Sequence, residues 1–274
     1  MRVIVTRPAS QAGKWVDALR AAGMDALSLP LIEIAGPPDP QAVRTAWQGM
    51  AQWDALMFVS ANAVEQFFAL RPVYGLQAQA TNAVSLLPAP SPRFFATGPG
   101  TVAALLQAGV PASQIDAPDH AAAQFDSEAL WQVVHTQVHS GWRVLIVRGN
   151  SDAENGDDAQ ASPGVGRDWL AARLTQRGAL VDFVLAYVRR APQLPANALA
   201  LLQLAAQDGS VWLFSSSEAV GNLCSVASGQ SWSQARAVAT HPRIAQAARE
   251  AGFGVVCESR PAVAELIASI ESLA

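Results

Sequence analysis

VIVTRPASQAGKWVDALRAAGMDALSLPLIEI, residues 3–34, decides the fold, because the chain repeats it as VLIVRGN at 144–150 and DWLAARLTQRGALVDFVLAYVRR at 168–190. Each copy runs from a short apolar stretch through a turn and a helical segment into a second apolar stretch. Two further pairs follow the same rule. DALMFVSANAVEQFF (54–68) matches SVWLFSSSEAVGNL (210–223), and RFFATGPGTVAALLQAGV (93–110) matches ARAVATHPRIAQAAREAGF (235–253). The chain therefore carries two copies of one α/β unit.

Apolar runs alternating with helical periodicity are the mark of βαβ units and parallel sheets. Strands are expected at Arg2–Thr6, Ala26–Ile34, Ala55–Ser60, Arg93–Thr97, Gln114–Pro118, Arg143–Arg148, Leu180–Arg189, Val211–Ser215, Ala235–Thr240 and Gly254–Ser259. Most are unbroken apolar runs, as strands covered on both faces require. The fold class is thus α/β: two similar domains, each a parallel sheet flanked by helices. Ala26–Ile34 and Leu180–Arg189 are unusually long, which makes them natural crossing points between domains. On that reading residues 1–35 and 190–274 form one discontinuous α/β domain and 38–185 the other, with linker strands around 29–37 and 183–190. A plain division into N-terminal and C-terminal halves is the competing topology. Two segments are irregular: Gln77–Pro92, with Pro88, Pro90 and Pro92 at alternate positions, is expected as a surface loop. Asn150–Gly166, polar and rich in Gly and Asp, is either a lid or an inert insertion.

With 274 residues, 51% hydrophobic and 15% charged, the chain has ample material for packed cores. A net charge of −4 and a pI near 5.5 argue against a general nucleic-acid or anionic-membrane surface. They leave room for an anionic small molecule held by a few backbone N–H groups and arginines. Cys224 and Cys257 lack metal or redox spacing and read as reduced thiols. Met1 leads directly into Val3-Ile4-Val5 with no export signal, and no apolar run reaches membrane length. A cytoplasmic protein is expected.

Six strands run into turns of small polar residues that open helices: Thr6-Arg7-Pro8, Ser60-Ala61-Asn62, Thr97-Gly98-Pro99-Gly100-Thr101, Arg148-Gly149-Asn150, Ser215-Ser216-Ser217 and Thr240-His241-Pro242. In open parallel sheets ligands bind outside the carboxyl ends of strands, where free N–H groups and helix dipoles favour anions. Each Ser or Thr alone is an ordinary helix N-cap; their recurrence in both copies favours a shared anion-binding role. Arg7 and Arg148 occupy equivalent positions and are suited to carboxylates. No Walker A loop, GxGxxG, HExxH, GxSxG or DxD motif is present, so nucleotide, zinc and nucleophilic-serine chemistry lack support. His135 and His139 fall four apart on one predicted helix without a third ligand. Glu33 and Glu258 are the carboxylates nearest strand ends. Of the two tyrosines, Tyr74 and Tyr187, the second lies in the long strand VLAYVRR, where its hydroxyl is placed to reach a cleft or to stay in the sheet.

Taken in order, VIVTRP (3–8), DALMFVSANAV (54–64), FFATGPGTVAAL (94–105), FDSEALW (125–131), VLIVRG (144–149), VLAYVRR (184–190), LFSSSEAV (213–220) and ATHPRIA (239–245) resemble the uroporphyrinogen-III synthase family over nearly the whole chain. The resemblance implies two α/β domains joined by a two-stranded ladder. It also implies a lyase of tetrapyrrole and haem biosynthesis that uses no cofactor and no metal. The implied substrate is hydroxymethylbilane, a linear tetrapyrrole bearing acetate and propionate groups, closed to uroporphyrinogen III with loss of water and inversion of ring D. It gives Tyr187 the catalytic role. Substrate binding falls to Arg7, Ser60, Asn62, Gly98, Thr101, Ser127, Arg148, Gly149, Ser215, Ser216, Ser217 and His241. His241 and Ile244 stand where other members carry Gly and Thr, which leaves side-chain binding open there. A monomer is expected, with at most a transient contact to the preceding pathway enzyme. The alternatives are a two-lobed small-molecule binding protein without catalysis and a glycosyltransferase-like enzyme.

Overall fold

A computed structural model describes residues 1–72, 91–119, 126–151 and 165–273. Tyr74, His120, most of the proline-rich loop and residues 152–164 of the insertion lie outside the described residues. The first elements are β1 (Arg2–Val5), α1 (Ala9–Ala21) and β2 (Asp25–Ser28). Next come β3 (Glu33–Ala35), α2 (Pro40–Gln48), β4 (Ala55–Phe58), α3 (Ala61–Ala69), β5 (Arg93–Ala96), α4 (Pro99–Gln107), β6 (Ile115–Asp116) and α5 (Ser127–Val134). The βαβ unit β7 (Arg143–Ser151), α6 (Val165–Gln176) and β8 (Leu180–Arg190) follows. The chain ends with α7 (Ala196–Ala205), β9 (Val211–Phe214), α8 (Ser217–Val226), β10 (Arg236–Ala239), α9 (Pro242–Glu250), β11 (Val255–Glu258) and α10 (Val263–Glu271).

These elements divide into two compact units, Met1–Ile34 with Arg190–Ala274, and Ala35–Arg189. The first holds a sheet of order β11-β10-β9-β1-β2, the second one of order β6-β5-β4-β7-β8-β3, and every registered pairing is parallel. Laid side by side, the orders put β1 opposite β7, β2 opposite β8, β9 opposite β4 and β10 opposite β5. The sequence repeat is therefore a repeat of sheet position. Even the helix ends agree: Gly23 and Gly178, at matching positions after α1 and α6, adopt φ +81 and +82. That left-handed conformation closes a helix at low cost only for glycine.

Alternation along the strands sends side chains to two helical layers. In the first unit Val3, Val5, Val211 and Leu213 pack on α1 and α10, whereas Ile4, Trp212 and Phe214 pack under α7, α8 and α9 with Trp232 and Phe253. In the second, Met57, Phe95, Val144 and Ile146 meet Leu130 and Val134 of α5 and Leu170 and Leu174 of α6. On its opposite face Phe58 lies 5.5 Å from Phe67 and 6.3 Å from Phe94, and Trp47 stacks on Phe67 at 4.9 Å.

Three expectations need correction. The single strand Ala26–Ile34 is two strands, β2 and β3, because Pro30 has no N–H to donate to a ladder. Around it Leu29 and Leu31 donate instead to the carbonyls of Val5 and Thr6, at 2.9 and 3.1 Å. The insertion begins later than Asn150, since β7 continues through Ser151 against Arg189 of β8. His139 is not on a helix: α5 stops at Val134, and His139 accepts a 2.7 Å hydrogen bond from Trp142 Nε1 beyond it.

Candidate active site

The parallel order sets the carboxyl ends of β7, β4 and β5 side by side in the second unit. There Ser60, Asn62, Gly98, Thr101, Gly149 and Tyr187 come together at one end of one sheet. β7 and β8 stay in register from Arg143 opposite Leu180 to Arg148 opposite Leu185, but Gly149 then pairs with Tyr187. Ala186 is the extra residue of a β-bulge, and a bulge re-aims the side chains beyond it. The ring of Tyr187, only 5% exposed, lies against Gly149. A Cβ on Gly149 would stand 2.2 Å from the ring's Cζ, so no larger residue fits beneath this phenol. The phenol oxygen lies 3.1 Å from Ser60 Oγ. Ser60 is the N-cap of α3, its Oγ accepting a 3.2 Å hydrogen bond from the Ala63 N–H.

The N-terminus of α3 meets this phenol through Ser60, and that of α4 follows the neighbouring strand β5. Asn62 and Thr101 are buried at 8% and 5% exposure, in the first turns of α3 and α4. Gly98 caps α4 without a side chain, and Pro99 has no N–H, so the first-turn amide of Gly100 has no side-chain cap. Such an end favours an anion. Ser127, 5% exposed, opens α5, but Asp126 Oδ1 already accepts from the Ala129 N–H at 2.8 Å, and Glu128 adds a second charge. Two carboxylates at that turn count against a third from a ligand.

Arg148 follows Ile146 onto the face covered by α5 and α6, and its guanidinium lies 4.9 Å from the centre of the Phe183 ring. Sequence reasoning passed over Arg189 as a site residue. It stands two residues beyond Tyr187 on the same face of β8, and donates to Ser151 Oγ at 3.1 Å. The Arg-Arg doublet closing VLAYVRR was the available signal; the bulge that sets its facing had none.

In the first unit the equivalent strand ends carry Arg7, Ser215 and Thr240. The Arg7 guanidinium rests over Trp15 at 4.4 Å and donates to Gln11 Oε1 at 2.9 Å. Burial lowers its pKa from the ordinary value, and its Nε is buried with no hydrogen-bond partner among the described residues. A stacked guanidinium tethered at one corner is pre-organised for an anion. Helix α1 above it has no side-chain cap. Ser216 caps α8, accepting from the Glu218 N–H at 3.2 Å, and Ser215 and Ser217 flank it, half-buried. His241 caps α9 through Nδ1, accepting from the Arg243 N–H at 3.1 Å, and its ring is exposed. Among the described residues, no three His, Cys, Asp or Glu side chains are grouped to hold a metal. No described helix is long and apolar enough to cross a membrane.

The family described as Uroporphyrinogen-III synthase HemD matches this sequence over residues 13–268. The chain belongs to the uroporphyrinogen-III synthase family. A uroporphyrinogen-III synthase of Synechococcus elongatus is 30% identical over 238 residues, 84% of this chain and 77% of that protein. One of Salmonella typhimurium is 30% identical over 198 residues, 69% of this chain and 65% of its own length. Solved uroporphyrinogen III synthases from Helicobacter pylori and Thermus thermophilus align over the whole chain at 16% identity, with TM-scores of 0.49 and 0.48, and are covered to 100% and 98%. The function is that of the family, a uroporphyrinogen-III synthase of haem biosynthesis, and the enzyme is of the lyase type.

Proposed function

We propose that the chain closes hydroxymethylbilane to uroporphyrinogen III, with Tyr187 as the proton donor to the departing hydroxyl. The observation that carries this reading is the buried phenol at the carboxyl end of the second unit's sheet, seated on Gly149 beside the N-cap of α3. The terminal hydroxyl leaves as water to give an electrophilic azafulvene. The substituted carbon of ring D attacks it, and the resulting spiro intermediate fragments and recloses inverted. Electron-rich pyrroles drive these steps, so the protein's main task is holding the chain ends in one geometry, with one acid at the leaving group.

In each unit, turns at the carboxyl ends of the strands bind substrate carboxylates. In the second unit Asn62, Gly98, Thr101, Gly149 and Arg148 belong to this set, with Arg189 added; Ser127 offers a hydroxyl rather than an anion site. In the first unit Arg7, Ser215, Ser216, Ser217 and His241 contribute. The enzyme works as a cytoplasmic monomer without cofactor or metal, touching the preceding pathway enzyme at most transiently. The test supplies fresh hydroxymethylbilane to wild type and Tyr187→Phe and separates the oxidised porphyrin isomers. Loss of the phenol is expected to lower kcat by about 10- to 10³-fold; unchanged turnover would return Tyr187 to a purely structural part.

A further inference from the structure

We propose that Ser60 is a positioning residue for the Tyr187 proton rather than a substrate ligand; this rests on Tyr187 being the acid. Its Oγ is 3.1 Å from the phenol oxygen, and either atom is able to donate. Each direction leaves one hydroxyl hydrogen without a protein acceptor among the described residues, and only donation by Ser60 leaves the phenol's proton available to a substrate. Ser60 Oγ already accepts the Ala63 N–H. The unfilled backbone groups at a helix N-terminus are N–H donors, so nothing in the first turn of α3 accepts the Ser60 hydroxyl hydrogen. Were Tyr187 to donate, Ser60 would accept twice and its own hydrogen would have no protein acceptor among the described residues. With Ser60 donating, the chain runs Ala63 N–H to Ser60 Oγ, then Ser60 O–H to the phenol oxygen. The phenolic hydrogen is then not spent on Ser60 and is available to the departing hydroxyl, and each donor in the series strengthens the next.

This direction fits the chemistry. The phenol O–H bond breaks as its proton passes to the departing hydroxyl, whose carbon–oxygen bond breaks with the electron pair staying on oxygen, and water leaves. The phenolate so formed keeps the Ser60 hydrogen bond. It regains a proton from the one the pyrrole system gives up on ring closure, so the cycle balances without a co-reactant. Gly149 beneath the ring and Ser60 at its edge together fix one position for the oxygen.

Four variants test the assignment: Ser60→Ala, Ser60→Thr, Ser60→Asp and Tyr187→Phe, with thermal melting as a check on folding. Ser60→Ala is expected to lower kcat about ten-fold with KM unchanged, and Ser60→Thr to restore it. Ser60→Asp keeps a good helix cap but offers only acceptors to the phenol, so it is expected to be well folded and slower than Ser60→Ala. With ring-labelled tyrosine, the Tyr187 Cζ resonance, assigned against Tyr74→Phe, is expected to move in Ser60→Ala and return in Ser60→Thr. In the Tyr187→Phe background Ser60→Ala is expected to cost nothing further. A raised KM at unchanged kcat, or a full additional loss beside Tyr187→Phe, would overturn the proposal and make Ser60 a substrate ligand while leaving Tyr187 as acid. Wild-type turnover by Tyr187→Phe alone would instead remove the acid itself.

Discussion

Gly149→Ala is the sharpest single perturbation the site offers. The added methyl would lie 2.2, 2.4 and 2.5 Å from Cζ, Cε2 and Cε1 of Tyr187, where ordinary contact begins near 3.4 Å. The ring must therefore retreat by about 1.2 Å, or the β7–β8 ladder must open by as much. Overpacking of this kind costs about 1–3 kcal/mol. For a domain of this size each kcal/mol lowers Tm by about 2–4 °C, so a fall of about 2–12 °C is expected. The larger effect is on turnover. A phenol oxygen displaced by ~1 Å leaves hydrogen-bond reach of Ser60, and misplacement on that scale costs about 10²-fold in rate. Porphyrin-isomer analysis reads the rate and scanning calorimetry the stability. The clash should be specific to the ring: in Tyr187→Ala, adding Gly149→Ala should cost little more stability, whereas in Tyr187→Phe, whose Cζ remains, it should cost as much as in the wild type. Wild-type Tm and turnover in Gly149→Ala would refute the reasoning, because the glycine would then be no seat for the phenol.

Other expectations concern charge, core and thiol. Arg7→Gln should raise KM several-fold with kcat nearly unchanged, as loss of uniform carboxylate binding does, whereas Arg148→Gln, whose guanidinium stacks on Phe183, should have the smaller effect in steady-state kinetics. Trp212→Ala should destabilise the first unit by about 3–5 kcal/mol in denaturant unfolding, since the indole is fully buried against Phe214, Trp232 and Phe253 and donates to the Ala205 carbonyl at 3.1 Å. Burial raises the Cys224 thiol. Less thiolate is present at pH 8 than in a free cysteine, so mass-spectrometric alkylation there should be slower at Cys224 than in an unstructured cysteine peptide and recover as pH rises.

The α/β class was legible because strand and helix periods differ and both sheets are covered on both faces, which leaves unbroken apolar runs at Val3–Val5, Ala55–Phe58 and Val144–Val147. The repeat was legible because paired segments occupy matching sheet positions and so meet the same packing demands. What escaped was local. Pro30 breaks the long run at 26–34, yet a single proline is also tolerated at a sheet edge, so the sequence alone did not separate β2 from β3. The bulge at Ala186 leaves no mark in VLAYVRR: both registers keep Val184 and Val188 apolar, and only pairing with Gly149 reveals which way Tyr187 faces. The small polar turns were readable as helix starts. Their division of labour was not, because Ser60, Ser216 and His241 spend an acceptor on their own helix whereas Gly98 and Pro8 offer none.

The most direct test of the account is a single-turnover reaction of purified enzyme with fresh hydroxymethylbilane, comparing wild type with Tyr187→Phe by porphyrin isomer. The account predicts mostly isomer III from the wild type, and from Tyr187→Phe the same isomer formed about 10- to 10³-fold more slowly. Isomer I alone from the wild type, at the rate seen without protein, would contradict it.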